Sequence, residues 1–188
     1  MSERSTFEAD FEFTLSLLDA FFKQSQIQTV LAMIADKDIS GWEKWWQIEL
    51  ALFLSEHDDV AEWDMEEPFF TDLRHDTSQD SLAIDLCFRR KRHSTERLIF
   101  LELKQDQDWK RCVANMLSDA EKVYSAQSKS VFDAEIRNFF LAGIYISPNE
   151  SKAEIHDYIE KVTESRDVEW ELMETRFIAN TPYSFTLL

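Results

Sequence analysis

Glycine is nearly missing from this chain: among 188 residues only Gly41 and Gly143 occur. A phosphate-binding loop of the form GxxxxGKS or GxxxxGKT needs two closely spaced glycines, and a GxGxxG dinucleotide fingerprint needs three. Neither motif can be formed from two glycines that lie so far apart in the sequence. Nucleotide-binding folds that depend on those loops are therefore excluded.

Cysteine and long apolar runs are also scarce. The two cysteines, Cys87 and Cys112, form no CxxC pair and have apolar neighbours, which suits reduced, buried thiols and predicts a cytoplasmic protein. The longest apolar run, residues 139–146, is far too short to span a bilayer, and residues 1–5 lack the features of a signal peptide. The sequence therefore predicts a protein without a membrane segment.

Charge is strongly unbalanced, because acidic residues outnumber basic ones and give a net charge of −17. Residues 1–80 carry 19 acids and 5 bases, and residues 112–188 carry 13 and 7, whereas residues 81–111 carry 5 acids and 8 bases. Phosphate contacts supply much of the affinity for nucleic acid, so most of this chain repels it. Nucleic-acid contacts are therefore expected in the one net-positive window, at Arg89, Arg90, Lys91, Arg92, Lys110 and Arg111.

Apolar periodicity divides the chain into helices and strands. The spacing predicts helices over residues 11–22, 27–34, 40–56, 109–124 and 153–162, with Ser40 as the N-cap of the third. It predicts strands over residues 81–90, 96–104, 139–146 and 168–178. Residues 57–67 are expected to be a solvated connection that ends in a short strand, and residues 71–80 a polar stretch.

This order of elements predicts an α/β fold. The two strands within residues 81–104 are close in sequence and form an antiparallel hairpin, whereas the later succession of strand, helix and buried strand predicts a parallel crossover. We expect a mixed central sheet flanked by helices, in a single domain over residues 1–188. Residues 1–39 form a helical extension packed on it, residues 40–147 the core, and residues 148–188 a C-terminal helix and strand.

Charged side chains interrupt the two apolar strands of the hairpin. Asp85 lies in the first strand, and Glu102 and Lys104 lie in the second. A carboxylate inside an apolar strand is costly unless a cation compensates it. Strand alternation puts Glu102 and Lys104 on one face. An antiparallel register whose paired residue numbers sum to an odd value, such as 187, adds Asp85 to that face, whereas an even sum separates it.

Two carboxylates that converge with a lysine suit phosphodiester hydrolysis. Their oxygens can hold a hard divalent cation, Mg²⁺ or Mn²⁺, while the ammonium positions or polarises an attacking water and offsets developing negative charge. Glu49 is a candidate third acid, since it lies at the centre of an apolar stripe formed by Trp42, Trp45, Trp46, Leu52 and Phe53. A helical carboxylate that faces the core is most simply explained as a direct or supporting metal contact.

Over residues 40–147 the chain resembles the PD-(D/E)XK nuclease-like superfamily, also called restriction-endonuclease-like. The resemblance covers an acidic helix, a strand with Asp85, a strand that ends in the Glu-Leu-Lys motif, a helix and a further strand. It implies a mixed sheet flanked by helices and Mg²⁺-dependent cleavage of nucleic acid, with DNA the preferred substrate. It also implies metal ligation by Asp85 and Glu102, a catalytic Lys104, a supporting and metal-binding Glu49, and Gln105 as an additional polar group.

Simpler interpretations stay open. The charged strand residues can form ordinary cross-strand ion pairs on an exposed face, and the basic turn can be a solvated hairpin tip. The acidic surface also suits a non-catalytic protein that keeps a nuclease-like fold and binds a basic protein partner, as a DNA-mimicking inhibitor or an immunity-type protein does. Formation of a homodimer, which many such nucleases use to cut both strands, is compatible with the sequence but is not decided by it.

Overall fold

The computed structural model describes residues 3–70, 81–93, 98–127, 136–147, 149–166 and 171–188. In these ranges it contains five helices and six strands, in an order that confirms the predicted α/β class. The elements are α1 (Glu3–Phe22), α2 (Ser25–Asp36), α3 (Glu43–Glu56), β1 (Val60–Phe70), β2 (Ser81–Arg90), β3 (Leu98–Asp108), α4 (Trp109–Gln127), β4 (Ile136–Ile146), α5 (Lys152–Arg166), β5 (Glu174–Phe177) and β6 (Tyr183–Leu187).

The strands form one mixed sheet in the order β1-β2-β3-β4-β6-β5. The predicted hairpin of β2 and β3 is antiparallel, and β3 pairs in parallel with β4 after the crossover through α4. The pairs of β1 with β2, β4 with β6, and β5 with β6 are antiparallel. The predicted combination of an antiparallel hairpin and a parallel crossover strand is therefore confirmed.

Helices cover both faces of the sheet, and β4 shows why. Its alternate residues Phe140, Ala142 and Ile144 pack in one core cluster with residues of α1, α2 and α3. Leu141 and Tyr145 point the other way and pack with residues of α4 and α5. Because β4 is buried on both faces, it needs the continuous apolar sequence that predicts a central strand. The N-terminal helices are thus an integral layer of the core.

Two strands differ from the sequence prediction. Residues 57–67 are predicted to be a solvated connection that ends in a short strand, but β1 begins already at Val60 as an edge strand whose residues 61–64 are exposed. Such a strand is held by backbone pairing and does not need apolar alternation. The predicted strand over residues 168–178 is shorter, and a second strand, β6, follows it. The predicted polar stretch 71–80 lies outside the described residues.

The predicted register of the hairpin is confirmed. Leu86 pairs with Leu101, and the next two pairs continue with the same sum of residue numbers, 187. The predicted N-cap Ser40 is wrong, because α3 begins later and its N-cap is Trp42, which makes no capping hydrogen bond through its side chain. Both cysteines are free and buried. None of the helices in the described ranges is long and apolar enough to cross a bilayer.

Candidate active site

The candidate site begins where β2 and β3 separate, just past the pair of Leu86 with Leu101. Beyond this pair, hydrogen bonds to side chains link the two strands in place of backbone pairing. The carboxylate of Asp85 accepts a hydrogen bond from the N–H of Leu103 at 2.8 Å, and the carboxylate of Glu102 accepts one from the N–H of Asp85. The carbonyl of Asp85 accepts a hydrogen bond from the Gln47 side chain of α3 at 2.7 Å. The two acids therefore hold the opened strands together.

Burial and mutual repulsion make these carboxylates costly to ionise. Loss of solvent, and then the neighbouring charge of Asp85, raise the pKa of Glu102 to about 8 against the opposing effect of Lys104. Burial also raises the pKa of Asp85, although the hydrogen bond from Leu103 opposes the shift. Two desolvated carboxylates that repel each other are stabilised when a cation joins them. The electrostatics therefore favour a positive ligand at this point.

Lys104 supplies one positive charge, but it is shared with an acid from α4. Its Nζ lies 2.7 Å from Oδ2 of Asp119 and 3.6 Å from Oε1 of Glu102. Burial alone would lower the pKa of Lys104, but the hydrogen bond and charge of Asp119, together with Glu102, raise it. The ammonium is therefore charged at neutral pH. It can act as a fixed positive group but not as a general base.

The acid that α3 brings to the site is Glu43. Its Oε2 accepts a hydrogen bond from the N–H of Gln105 at 2.8 Å, and its charge acts on Asp85 and Lys104. The predicted position of Glu49 at the centre of the buried stripe is wrong. Among the described residues, no hydrogen bond or ion pair joins Glu49 to the hairpin acids.

The error on α3 has a physical cause. The helix carries apolar residues on most of its surface, and two of them, Ile48 and Leu52, are more than half exposed. Its buried residues are Trp46, Gln47, Leu50, Ala51 and Leu54. Glu43 lies one turn before Trp46 and Gln47 on that face, whereas Glu49 lies on its flank. A stripe built around 46, 50 and 54 would have selected Glu43.

Asp119 is not predicted from the sequence either, although its position carries a weak signal. The buried face of α4 includes Cys112, Met116 and Ala120. Asp119 follows Met116 by three positions and precedes Ala120, so it lies beside the buried stripe. One acid next to an apolar stripe is common on amphipathic helices. Only the tertiary contact with Lys104 distinguishes it.

The structure separates the basic hairpin turn from the acids. Arg90 is five residues from Asp85 along β2, which corresponds to about 16 Å in an extended strand. Its guanidinium lies 4.9 Å from the ring centroid of Phe13, and Arg89 forms an ion pair with Glu62 at 2.9 Å. The two following residues of the turn, Lys91 and Arg92, are exposed.

The predicted basic residues of α4 lie nearer, since α4 follows directly after the strand that carries Lys104. Nζ of Lys110 lies 5.2 Å from the ring centroid of Trp109. Arg111 is exposed and forms an ion pair with Asp106. Gln105 contributes its backbone N–H to Glu43. These residues lie at the end of the sheet that carries the candidate site.

Asp85 and Glu102 are the residues that could hold a metal ion. Within the described ranges, no group of three or more His, Cys, Asp or Glu side chains is arranged to bind one. Searches of protein-family models, of curated proteins and of solved structures found no match to this chain. The resemblance to PD-(D/E)XK nucleases therefore stays a prediction from the sequence.

Proposed function

We propose that this protein is a metal-dependent phosphodiesterase that hydrolyses nucleic acid, with DNA the preferred substrate, at a PD-(D/E)XK-type site. One observation carries the proposal: the opened hairpin brings Asp85, Glu102 and Lys104 together in a poorly solvated place. The side chain of Glu102 is only 15% exposed. An ordinary cross-strand ion pair on a solvated face would not place two carboxylates next to each other where so little water reaches them.

The donor set fits a hard divalent cation. Carboxylate oxygens are the ligands that Mg²⁺ and Mn²⁺ prefer, and Asp85 and Glu102 offer them. Mg²⁺ commonly uses one or two carboxylates and completes its shell with waters and substrate phosphates, so a third protein ligand is not required. When bound, such an ion supplies Lewis acidity and lowers the pKa of a bound water.

Different residues of the chain would perform the other roles in hydrolysis and in substrate binding. Lys104, fixed as an ammonium, offsets the negative charge that develops on the phosphate and orients the attacking water. Glu102 would hold the cation as a carboxylate, and its proton would pass to solvent. Glu43 fixes the backbone just after the motif through the N–H of Gln105. Lys91 and Arg92, with Lys110 and Arg111, are the proposed contacts to the nucleic-acid backbone.

The test is cleavage of labelled DNA and RNA in Mg²⁺ or Mn²⁺ at low salt. Lys104→Ala and Glu102→Ala should abolish cleavage that EDTA also abolishes, while circular dichroism shows an intact fold. Lys161→Ala and Glu160→Ala, which change exposed charges of α5, should cleave as the wild type does. Metal-dependent activity that survives both site variants would remove the assignment.

A non-catalytic acidic interaction protein is the second candidate. The net charge of −17 favours it. Such a protein would bind a basic protein partner through its acidic surface. Calorimetry with MgCl₂ separates the two candidates. Binding that is lost in Asp85→Ala favours the enzyme, and no binding at millimolar metal favours the interaction protein.

A further inference from the structure

Lys104 contacts its two acidic neighbours unequally. The ammonium is 2.7 Å from Asp119 but 3.6 Å from Glu102, although Glu102 belongs to the same strand. The three side chains are between 15% and 22% exposed, so solvent screens their attraction only partly. The shorter contact therefore holds the ammonium of Lys104 next to Asp119, on the side of α4.

The position of Asp119 is fixed by packing that does not depend on its charge. Helix α4 lies so close to β4 that a Cβ added to Gly143 would be 2.2 Å from Sδ of Met116 and 3.1 Å from Sγ of Cys112. Met116 precedes Asp119 by one turn. The backbone that carries the carboxylate is therefore held against the sheet, and the carboxylate can act as a fixed anchor.

Without this anchor the lysine has an obvious alternative partner. Its four-carbon stem is flexible, and Glu102 is a desolvated carboxylate within reach. A full ion pair between them would neutralise Glu102 and occupy an oxygen that a metal ion needs. We propose that Asp119 is a positioning residue, which anchors the Lys104 ammonium on α4 and so keeps Asp85 and Glu102 open to a divalent cation.

This inference rests on the proposed cation site, but not on hydrolysis. It predicts that Asp119 influences metal binding through Lys104. A carboxylate that merely adds negative charge near the site would affect metal binding whether or not the lysine is present. A carboxylate that holds the lysine away would lose most of its influence once the lysine is replaced. The two cases differ in a double-mutant cycle.

The experiment measures Mg²⁺ and Mn²⁺ affinity by calorimetry for the full chain, D119N, K104M and the double variant. We expect D119N to weaken metal binding about three- to tenfold in the wild-type background, and by less than about twofold in the K104M background. E121Q is the matched control, because it removes one charge from the same helix at a residue paired with Arg166. It should change the affinity by less than about twofold.

The other outcomes are equally informative. An equal loss in both backgrounds, or no loss in D119N, would overturn the anchoring role while leaving the cation site and the proposed function in place. D119E keeps the charge and should bind metal within about twofold of the wild type. A loss of about threefold or more in D119E would also overturn it, whether or not D119N folds. Absence of metal binding by the wild type would overturn both proposals.

Discussion

At the scale of single residues, Glu102 is held in a setting that favours its neutral form. Its ordinary pKa is 4.5, and burial followed by repulsion from Asp85 raises it to about 8 in the folded chain. Between these two values the folded state binds a proton that the unfolded state releases. Its contribution to stability is therefore fully present below about pH 4.5 and is lost as the pH rises through 8.

This gives a prediction for the metal-free protein. In EDTA, the free energy of unfolding should fall between pH 5 and pH 8, by up to ~1.4 kcal/mol per pH unit from one group. Urea denaturation followed by tryptophan fluorescence measures it. Glu102→Gln, which cannot ionise, should flatten the dependence. A fall of unchanged slope in that variant would show that other groups cause it.

On α3, Glu43 is the acid that supports the candidate site. Glu43 accepts a hydrogen bond from the strand that carries the motif, whereas Glu49 lies on the flank of the helix. We expect Glu43→Gln to lower metal affinity or metal-dependent cleavage by about tenfold or more, as loss of groups that orient metal ligands commonly does. Glu49→Gln removes the same charge and should leave both within about twofold. The reverse order would restore Glu49 as the functional acid.

The central motif was predictable from the sequence because it depends on local alternation. Asp85, Glu102 and Lys104 share a site once the strands pair with an odd sum, and the observed sum is the expected one. Glu43 and Asp119 were missed because each reaches the site through packing between distant segments. Whether a helical acid faces the sheet depends on the helix rotation, which the apolar residues all around α3 leave ambiguous.

At the scale of elements, α1 is tied to the start of β4 by a buried acid. Asp10 is 1% exposed, forms an ion pair with Arg137, and accepts a hydrogen bond from Nδ2 of Asn138 at 2.6 Å. The same carboxylate has one oxygen without a protein partner in the described ranges. Arg137 is also largely buried, so neither charge can be left alone without cost.

This contact predicts a large effect for a single substitution. Asp10→Ala should lower the free energy of unfolding by about 3–5 kcal/mol, since it leaves the Arg137 charge buried and unpaired. Glu12→Ala, at an exposed position of the same helix, should change it by less than about 0.5 kcal/mol. Chemical denaturation of both variants measures the difference. Equal, small effects would mean that α1 is not held by this pair.

Strands were predicted correctly where burial requires an apolar pattern in the sequence, and they were missed where it does not. The strand β4 is buried on both faces and has a continuous apolar sequence. The edge strand β1 exposes Glu62, Trp63 and Asp64, so nothing in its composition distinguishes it from a loop. In β6 the buried Ser184 and Thr186 interrupt the apolar pattern, and they are satisfied by the hydroxyls of Ser147, just after β4, and of Tyr145 in β4. The sequence does not reveal those partners, because only the order of the strands in the sheet brings them next to β6.

In the molecule as a whole, the acidic pair and the basic turn lie at separate places along the hairpin. The acid pair lies where β2 and β3 separate, and the exposed turn residues Lys91 and Arg92 lie about 16 Å or more away along β2. The sequence placed these groups in one net-positive window, but it could not show that they occupy opposite ends of the hairpin. A nucleic acid that contacts both would have to run along the hairpin.

We propose that Asp85 and Glu102 form a cation site, and crystals soaked in MnCl₂ would reveal it by anomalous scattering. We expect an anomalous peak about 2.0–2.6 Å from an oxygen of each carboxylate, and its loss in Asp85→Ala. A well-ordered hairpin with no peak at this position, or with manganese bound only elsewhere, would contradict it.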